Sequence, residues 1–282
     1  MEKFVLRLDR AKKVIDDADY ILIGAGAGLS TAAGIEYSGE RFKKYFGDFI
    51  EEYGFTDMYS SGFYPFESSE EKWAYWARHV FANRYDVGKT DVYQKLLKLV
   101  ENRDYFVITT NVESQFWING FDGSRIFATQ GDYGLLQCSK PCHDKLYSNE
   151  VQVHEWLDKT ENFKIPSELI PKCPVCGEEM ELNLRVDNTF VEDEKWHEMY
   201  NNYEKFLEKI DGSKVVFMEF GVGYNTPAII RFPFERMTLS NPNANLIRFN
   251  LDYPQPTREN KDKTISFDEN IEDVLDYWLS RI

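Results

Sequence analysis

Apolar positions along the chain follow two rhythms. Over residues 2–18, Val5, Leu8, Ala11, Val14, Ile15 and Ala18 fall at helical spacing, which predicts an opening helix. Tyr20-Ile21-Leu22-Ile23 is then an unbroken apolar run, the mark of a strand buried on both faces. From 36 to 104 no convincing strand pattern appears. Instead Phe42, Tyr45, Phe46, Phe49 and Ile50, and later Trp73, Tyr75, Trp76, Val80 and Phe81, recur at helical intervals. This predicts a helical insertion over the crevice of the main domain. Its aromatics are expected to form its own core, the alternative being that one or two line a substrate groove.

Residues 91–102 read as a helix returning to a strand at 105–108, and 125–130 as a third strand ending on polar residues. From Lys214 the alternation resumes with a strand at 215–220, the loop 221–225 and a buried strand at 244–250. Ile271, Val274, Leu275, Trp278 and Leu279 predict a closing amphipathic helix. The expected class is α/β: a Rossmann-like parallel sheet domain (1–35, 104–131 and 211–282), a helical insertion (36–103) and a small zinc-binding module with a connecting helix (132–210).

The polar punctuation adds chemistry. Gly24-Ala25-Gly26-Ala27-Gly28-Leu29-Ser30 follows the first strand and opens a helix, where free backbone N–H groups hold a diphosphate. A tight loop that merely brings helix and strand close is the alternative. Thr109-Thr110-Asn111-Val112-Glu113 follows the second strand. In an open parallel sheet ligands sit at the carboxyl ends of strands, so both segments face one crevice and predict a nucleotide site. A plain dehydrogenase fits poorly, because Tyr45-Phe46-Gly47-Asp48-Phe49, where a ribose-binding acid belongs, has no strand before it.

Composition narrows the partners. With 282 residues and 43% hydrophobic content, the chain suits one large domain with insertions or a large domain plus a small one. A net charge of −15 without a lysine and arginine cluster works against nucleic acid and anionic membranes. No stretch approaches the roughly 18 apolar residues of a membrane span, and the start lacks a signal peptide's basic-then-apolar order. The cytoplasm is the expected compartment. The four cysteines pair as Cys138-x-x-x-Cys142 and Cys173-x-x-Cys176, two hooks that predict a structural four-sulfur zinc site spanning 138–177. Disulfides are the alternative, disfavoured in the cytosol. His143 is expected as a neighbour rather than a ligand.

Together these pieces resemble the sirtuin family. The resemblance rests on Gly26-Ala27-Gly28-Leu29-Ser30 with Gly34-Ile35, Thr109-Thr110-Asn111, Gln130-Gly131, the four cysteines, Gly221-Val222-Gly223, and Leu246-Ile247-Arg248-Phe249-Asn250. Their order follows the family's across nearly the whole chain. Three departures stand out. Glu36-Tyr37-Ser38-Gly39-Glu40-Arg41-Phe42 replaces a proline-aspartate-phenylalanine-arginine run; the family's catalytic histidine, eight residues before the first cysteine, falls on Gln130; and the aspartate after the asparagine becomes Glu113. This set resembles the macrodomain-linked class of microbial sirtuins.

The resemblance implies NAD as co-substrate and protein mono-ADP-ribosyl transfer with release of nicotinamide. It further implies a lipoylated carrier related to the glycine-cleavage H protein as substrate, and a macrodomain hydrolase as reversing partner. Asn111 and Gln130 become the catalytic candidates, both also touching the cofactor. Gly26, Ala27, Gly28, Ser30, Gly221 and Val222 would surround NAD, with Val112 and Glu113 near the nicotinamide and Tyr37 over its ribose. Arg41 would reach the diphosphate, or else pair with Glu40 or Asp48. Asn225, Asn250 and Leu251 belong to the adenosine side. Gln130 takes no proton but donates and accepts hydrogen bonds. Deacylation needs a base of near-neutral pKa, so losing the histidine hurts deacylation more than transfer. An NAD-dependent lysine deacylase, an NAD hydrolase and a non-catalytic NAD-binding module are the alternatives.

Overall fold

The short apolar runs all become strands of one sheet. The computed structural model describes residues 2–281. It begins with α1 (Glu2–Asp17), β1 (Tyr20–Ala25) and α2 (Ala27–Ala32), then α3 (Gly39–Tyr53), α4 (Met58–Ser61) and α5 (Ser69–Val80), which runs into a π-helical turn (Phe81–Tyr85). α6 (Asp91–Val100), β2 (Asp104–Thr109), α7 (Gln115–Ile118) and β3 (Ile126–Ala128) return the chain to the sheet. β4 (Gly131–Cys138), β5 (Tyr147–Ser148), α8 (Glu150–Lys159) and β6 (Met180–Leu184) follow. α9 (Glu194–Ile210), β7 (Val215–Phe220), α10 (Arg231–Ser240), β8 (Asn245–Phe249), β9 (Thr264–Phe267) and α11 (Ile271–Leu279) complete it.

The main sheet has the order β3-β2-β1-β7-β8-β9 with every pairing parallel. Helices cover both faces, so its central strands carry no polar alternation. Leu8, Ala11 and Ile15 of α1, Tyr93 and Leu96 of α6, and Val274, Leu275 and Trp278 of α11 fill one face. Tyr203, Phe206 and Ile210 of α9 and Phe234 of α10 fill the other. From β1 the order runs outward to β2 and β3 on one side and to β7, β8 and β9 on the other. The carboxyl ends of β1 and β7 therefore flank the switch point, where open α/β sheets bind ligands.

Three expectations need correction. The insertion's aromatics do not form a core of their own: Phe42, Phe46, Phe49, Trp73 and Tyr75 share one cluster with Tyr133, Leu136, Val153, Trp156 and Met180. The Trp73 and Trp156 rings meet at 4.8 Å. The small sheet β5-β4-β6 is too narrow to enclose a core alone, and the insertion covers it. Second, α9 packs on the main sheet, not in the small module; Asp193 caps it by accepting from the Trp196 N–H at 2.8 Å. Third, the strand expected over 125–130 stops at Ala128, because the chain turns there into β4. Gly131 makes that turn with φ +95°, and a Cβ on it would stand 1.8 Å from the Asn183 carbonyl oxygen. Among the described residues, no helix is long and apolar enough to cross a membrane.

Candidate active site

β1 and β2 end side by side, with Ala25 opposite Thr109. Thr109 Oγ1 donates to the Ala25 carbonyl (3.1 Å) and accepts from the Asn111 N–H (3.0 Å), which turns the chain across the strand ends. Asn111 Nδ2 then donates to the Gly26 carbonyl (3.0 Å) and to Ser30 Oγ (2.9 Å). The Ser30 hydroxyl donates in turn to the Glu113 carboxylate, which Tyr93 OH also reaches at 3.4 Å. Asn111, Ser30, Glu113 and Tyr93 thus form one connected network at the carboxyl ends of β1 and β2. Glu113 is only 3% exposed. Burial raises its carboxyl above the ordinary range, against the pull of the Ser30 hydrogen bond.

The rest of the expected site gathers around this network. The Tyr133 N–H donates to the Val112 carbonyl (2.9 Å), and Tyr133 OH meets Tyr37 OH at 2.8 Å. Burial raises the Tyr37 phenol, the Glu113 charge adds to this, and the hydroxyl stays neutral. Gln130 is half-buried at the β3–β4 turn, anchored by the Arg185 N–H on its carbonyl (3.0 Å), with its carboxamide outside the network.

The glycine turn differs from expectation. The Gly26 and Gly28 N–H groups are not free for a diphosphate: they donate to the carbonyls of Phe220 (2.9 Å) and Gly221 (3.0 Å). A Cβ on Gly28 would lie 2.5 Å from Gly221 Cα, so close approach across the switch point is the turn's first role. Ala27, at the head of α2, is exposed. On the other side Gly221 N donates to Phe249 O (2.8 Å) and Asn250 Nδ2 to Val222 O (2.9 Å). Asn225 and Leu251, the latter 75% exposed, lie on the two outer loops.

Arg41 forms neither expected ion pair. It donates to Glu36 O (3.0 Å), Asn83 Oδ1 (2.8 Å) and Ala82 O, while Glu40 pairs with Lys43 and Asp48 with Arg78. The carbonyls of the π-turn, invisible in a periodicity, take the guanidinium first.

Two features escaped the sequence reading. Glu219 and Arg248 face each other across β7 and β8, joined by Nε–Oε1 (2.8 Å) and Nη2–Oε2 (3.0 Å) bonds, both fully buried. Arg248 also donates to Glu235 (2.8 Å) and Gln255 O (3.0 Å), and the buried Arg231 donates to Tyr253 O (3.0 Å). This cluster ties down the loop after β8. The signal was a charge inside each of two apolar runs. The second is His79, packed between Tyr37 and Tyr133 with ring centroids at 5.7 and 4.9 Å. Tyr75 OH donates to Met58 O (2.7 Å), so the Tyr75 oxygen accepts from His79 Nδ1–H (3.1 Å).

Burial, helped by the Arg41 charge, pulls His79 from its ordinary 6.5 to about 3. Between those values the unfolded chain binds a proton that the folded chain does not. The stability this histidine contributes is whole above 6.5 and is lost as pH falls towards 3. Denaturant titrations at pH 7 and 5 are expected to show this loss, up to about 1.4 kcal/mol per pH unit. The variant His79→Gln is expected to flatten it; an equal slope in both proteins contradicts the assignment.

The four cysteine sulfurs lie within 4.8 Å of one another. Cys138–Cys176 and Cys142–Cys173 are 3.5 and 3.6 Å apart, too far for the roughly 2.05 Å of a disulfide. A tetrahedron with Zn–S bonds of about 2.3 Å has edges near 3.8 Å, so the donor set fits a closed four-sulfur zinc site. His143 Nδ1 touches Cys142 Sγ (3.1 Å) while Nε2 meets Tyr147 OH (3.0 Å), as befits a neighbour of the cluster.

No protein-family model matches the chain. It is 36% identical over 276 residues to a protein ADP-ribosyltransferase from Staphylococcus aureus, an alignment covering 98% of this chain and 88% of that one. It is 32% identical over 255 residues to a probable bifunctional ADP-ribose hydrolase/ADP-ribosyltransferase from Fusarium oxysporum, covering 86% of this chain but 42% of the fungal protein. Among solved structures, a Sir2–p53 peptide–NAD+ complex aligns with a TM-score of 0.63 at 15% identity, over 97% of this chain and 98% of that one. The shared architecture is the Sir2 fold, and the full-length identity to the bacterial enzyme places this chain in the protein ADP-ribosyltransferase family built on that fold.

Proposed function

We propose that this chain moves ADP-ribose from NAD to a protein acceptor and releases nicotinamide. The acceptor in this reading is a lipoylated carrier of the glycine-cleavage H type, with a macrodomain hydrolase reversing the modification in the cytoplasm. The observation that carries it is a connected Asn111–Ser30–Glu113 network without an imidazole in it, with Gln130 at the position where the family's histidine falls. His79 is buried among aromatics, His143 adjoins the cysteines, His154 packs on Phe81 and Tyr85, and His197 lies against Trp196. A site without an imidazole suits transfer better than deacylation.

In the reaction the bond between nicotinamide and the ribose C1′ breaks, its electron pair leaving with nicotinamide, and a nucleophile of the acceptor bonds to C1′. Asn111, held by Gly26 and Ser30, orients the ribose or the acceptor. Gln130 offers a donor and an acceptor to the same end. Glu113 sits next to the nicotinamide side, and Tyr37, locked on Tyr133, shields the ribose from water. The fungal relative's name joins a hydrolase and a transferase in one chain, which supports the pairing with a hydrolase. Acceptor dependence tests the reading: nicotinamide release should rise with carrier concentration. Release indifferent to every protein acceptor would mean NAD hydrolysis instead.

The same proposal gives the cysteine cluster one zinc per chain, a structural role that holds the end of β4 to the loop before β6. Cys173→Ser is expected to lose the metal and several kcal/mol of stability. Elemental analysis with a melting curve checks this, and a metal-free, fully stable wild type contradicts it.

A further inference from the structure

Gln130 and Glu113 follow different strands, β3 and β2, so their relative placement depends on contacts between the two segments. A cavity of about 270 Å³ has Arg84, Ser114, Trp117, Gly131 and Asp132 in its wall. Ser114 directly follows Glu113, and Gly131 directly follows Gln130. Hydrogen bonds join the two segments beside it.

Those bonds converge on one carboxylate. Asp132 Oδ1 accepts from Arg84 Nε in the π-helical turn (3.0 Å) and from the Gly134 N–H (2.7 Å), and Oδ2 accepts from the Ser114 hydroxyl. The Tyr133 N–H on Val112 O runs alongside. Ser114 is buried and sits at φ 59°, a left-handed conformation that is uncommon for serine. Strained residues and π-turns both gather at functional sites. We infer that Asp132 is a positioning residue: through Ser114 and Arg84 it sets the placement of Glu113 and Gln130 for NAD cleavage. The inference rests on the transferase reading for the reaction, though not for the geometry.

Two variants separate positioning from mere structure. Ser114→Gly removes the hydroxyl yet suits φ 59° better than serine does, so the fold should be as stable as the wild type. Asp132→Ala removes the acceptor for Ser114 together with that for Arg84 and Gly134. Both are expected to lower the kcat of nicotinamide release about 10- to 100-fold, the loss that a displacement near 1 Å brings. NAD affinity by calorimetry and the melting temperature of Ser114→Gly should stay close to wild type. The double variant should be no slower than the slower single one, since both cut the same bond. Wild-type kcat in both variants, or losses that only track lowered melting temperature, would overturn the inference. Nicotinamide release is common to transfer, deacylation and hydrolysis. The destination of the label in the wild type therefore reports on the transferase reading separately.

Discussion

Replacing Gln130 with alanine is expected to slow ADP-ribosyl transfer about 10- to 1000-fold while NAD binding stays largely intact, the loss that follows removal of one orienting contact. The expectation comes from where Gln130 stands. Its backbone is pinned by Arg185 and by the Gly131 turn, and the proposed role falls to its carboxamide. A structural glutamine at such a turn would cost melting temperature when shortened; an orienting one costs kcat. Gln130→His supplies an imidazole, yet Glu36, Tyr37 and Glu113 also depart from the deacylase pattern, so deacylation need not appear. Steady-state kinetics with separate NAD binding distinguishes the two outcomes. Unchanged kcat in Gln130→Ala would remove this residue from the mechanism.

The largest effect on stability is expected at Arg248→Ala. Glu219 is fully buried and takes two hydrogen bonds from Arg248, so the truncation strands a carboxylate in the sheet. Breaking such a pair costs about 3–5 kcal/mol. Arg231 stays 3.6 Å from Glu219 and offsets part of that, but the Gln255 and Glu235 contacts go with Arg248. The loop after β8 loses its tether, and NAD affinity should fall along with stability. Urea unfolding measures the first and calorimetry the second. The paired change Glu219→Leu with Arg248→Met leaves no orphaned carboxylate at 219, and it should regain part of the stability. If Arg248→Ala unfolds like the wild type, the cluster does not hold the sheet together.

The central strands and the glycine turn were legible because burial on both faces leaves unbroken apolar runs that end on small and polar residues. β9 was not: it is a four-residue edge strand in which Thr264 and Ser266 break the pattern. The strands of the small sheet were hidden for a related reason, since β4 shifts register between Gly131 and Leu136 and its alternation slips. Periodicity showed that α3 and α5 carry an apolar face but not what covers it, so the core shared with β4 and α8 appeared only in three dimensions. Asn111, Ser30 and Glu113 could be placed at one crevice from their strand ends alone. The bonds linking them, the diversion of the Gly26 and Gly28 amides to β7, and the capture of Arg41 by the π-turn depend on contacts distant in sequence.

The most direct test of the account gives the wild-type enzyme NAD labelled in its adenylate half. One reaction contains the lipoylated carrier protein and another an acetyl-lysine peptide. The account predicts label bound to the carrier, nicotinamide released in step with it, and no deacetylated peptide. Robust deacetylation, with no labelled protein for any acceptor supplied, would contradict it.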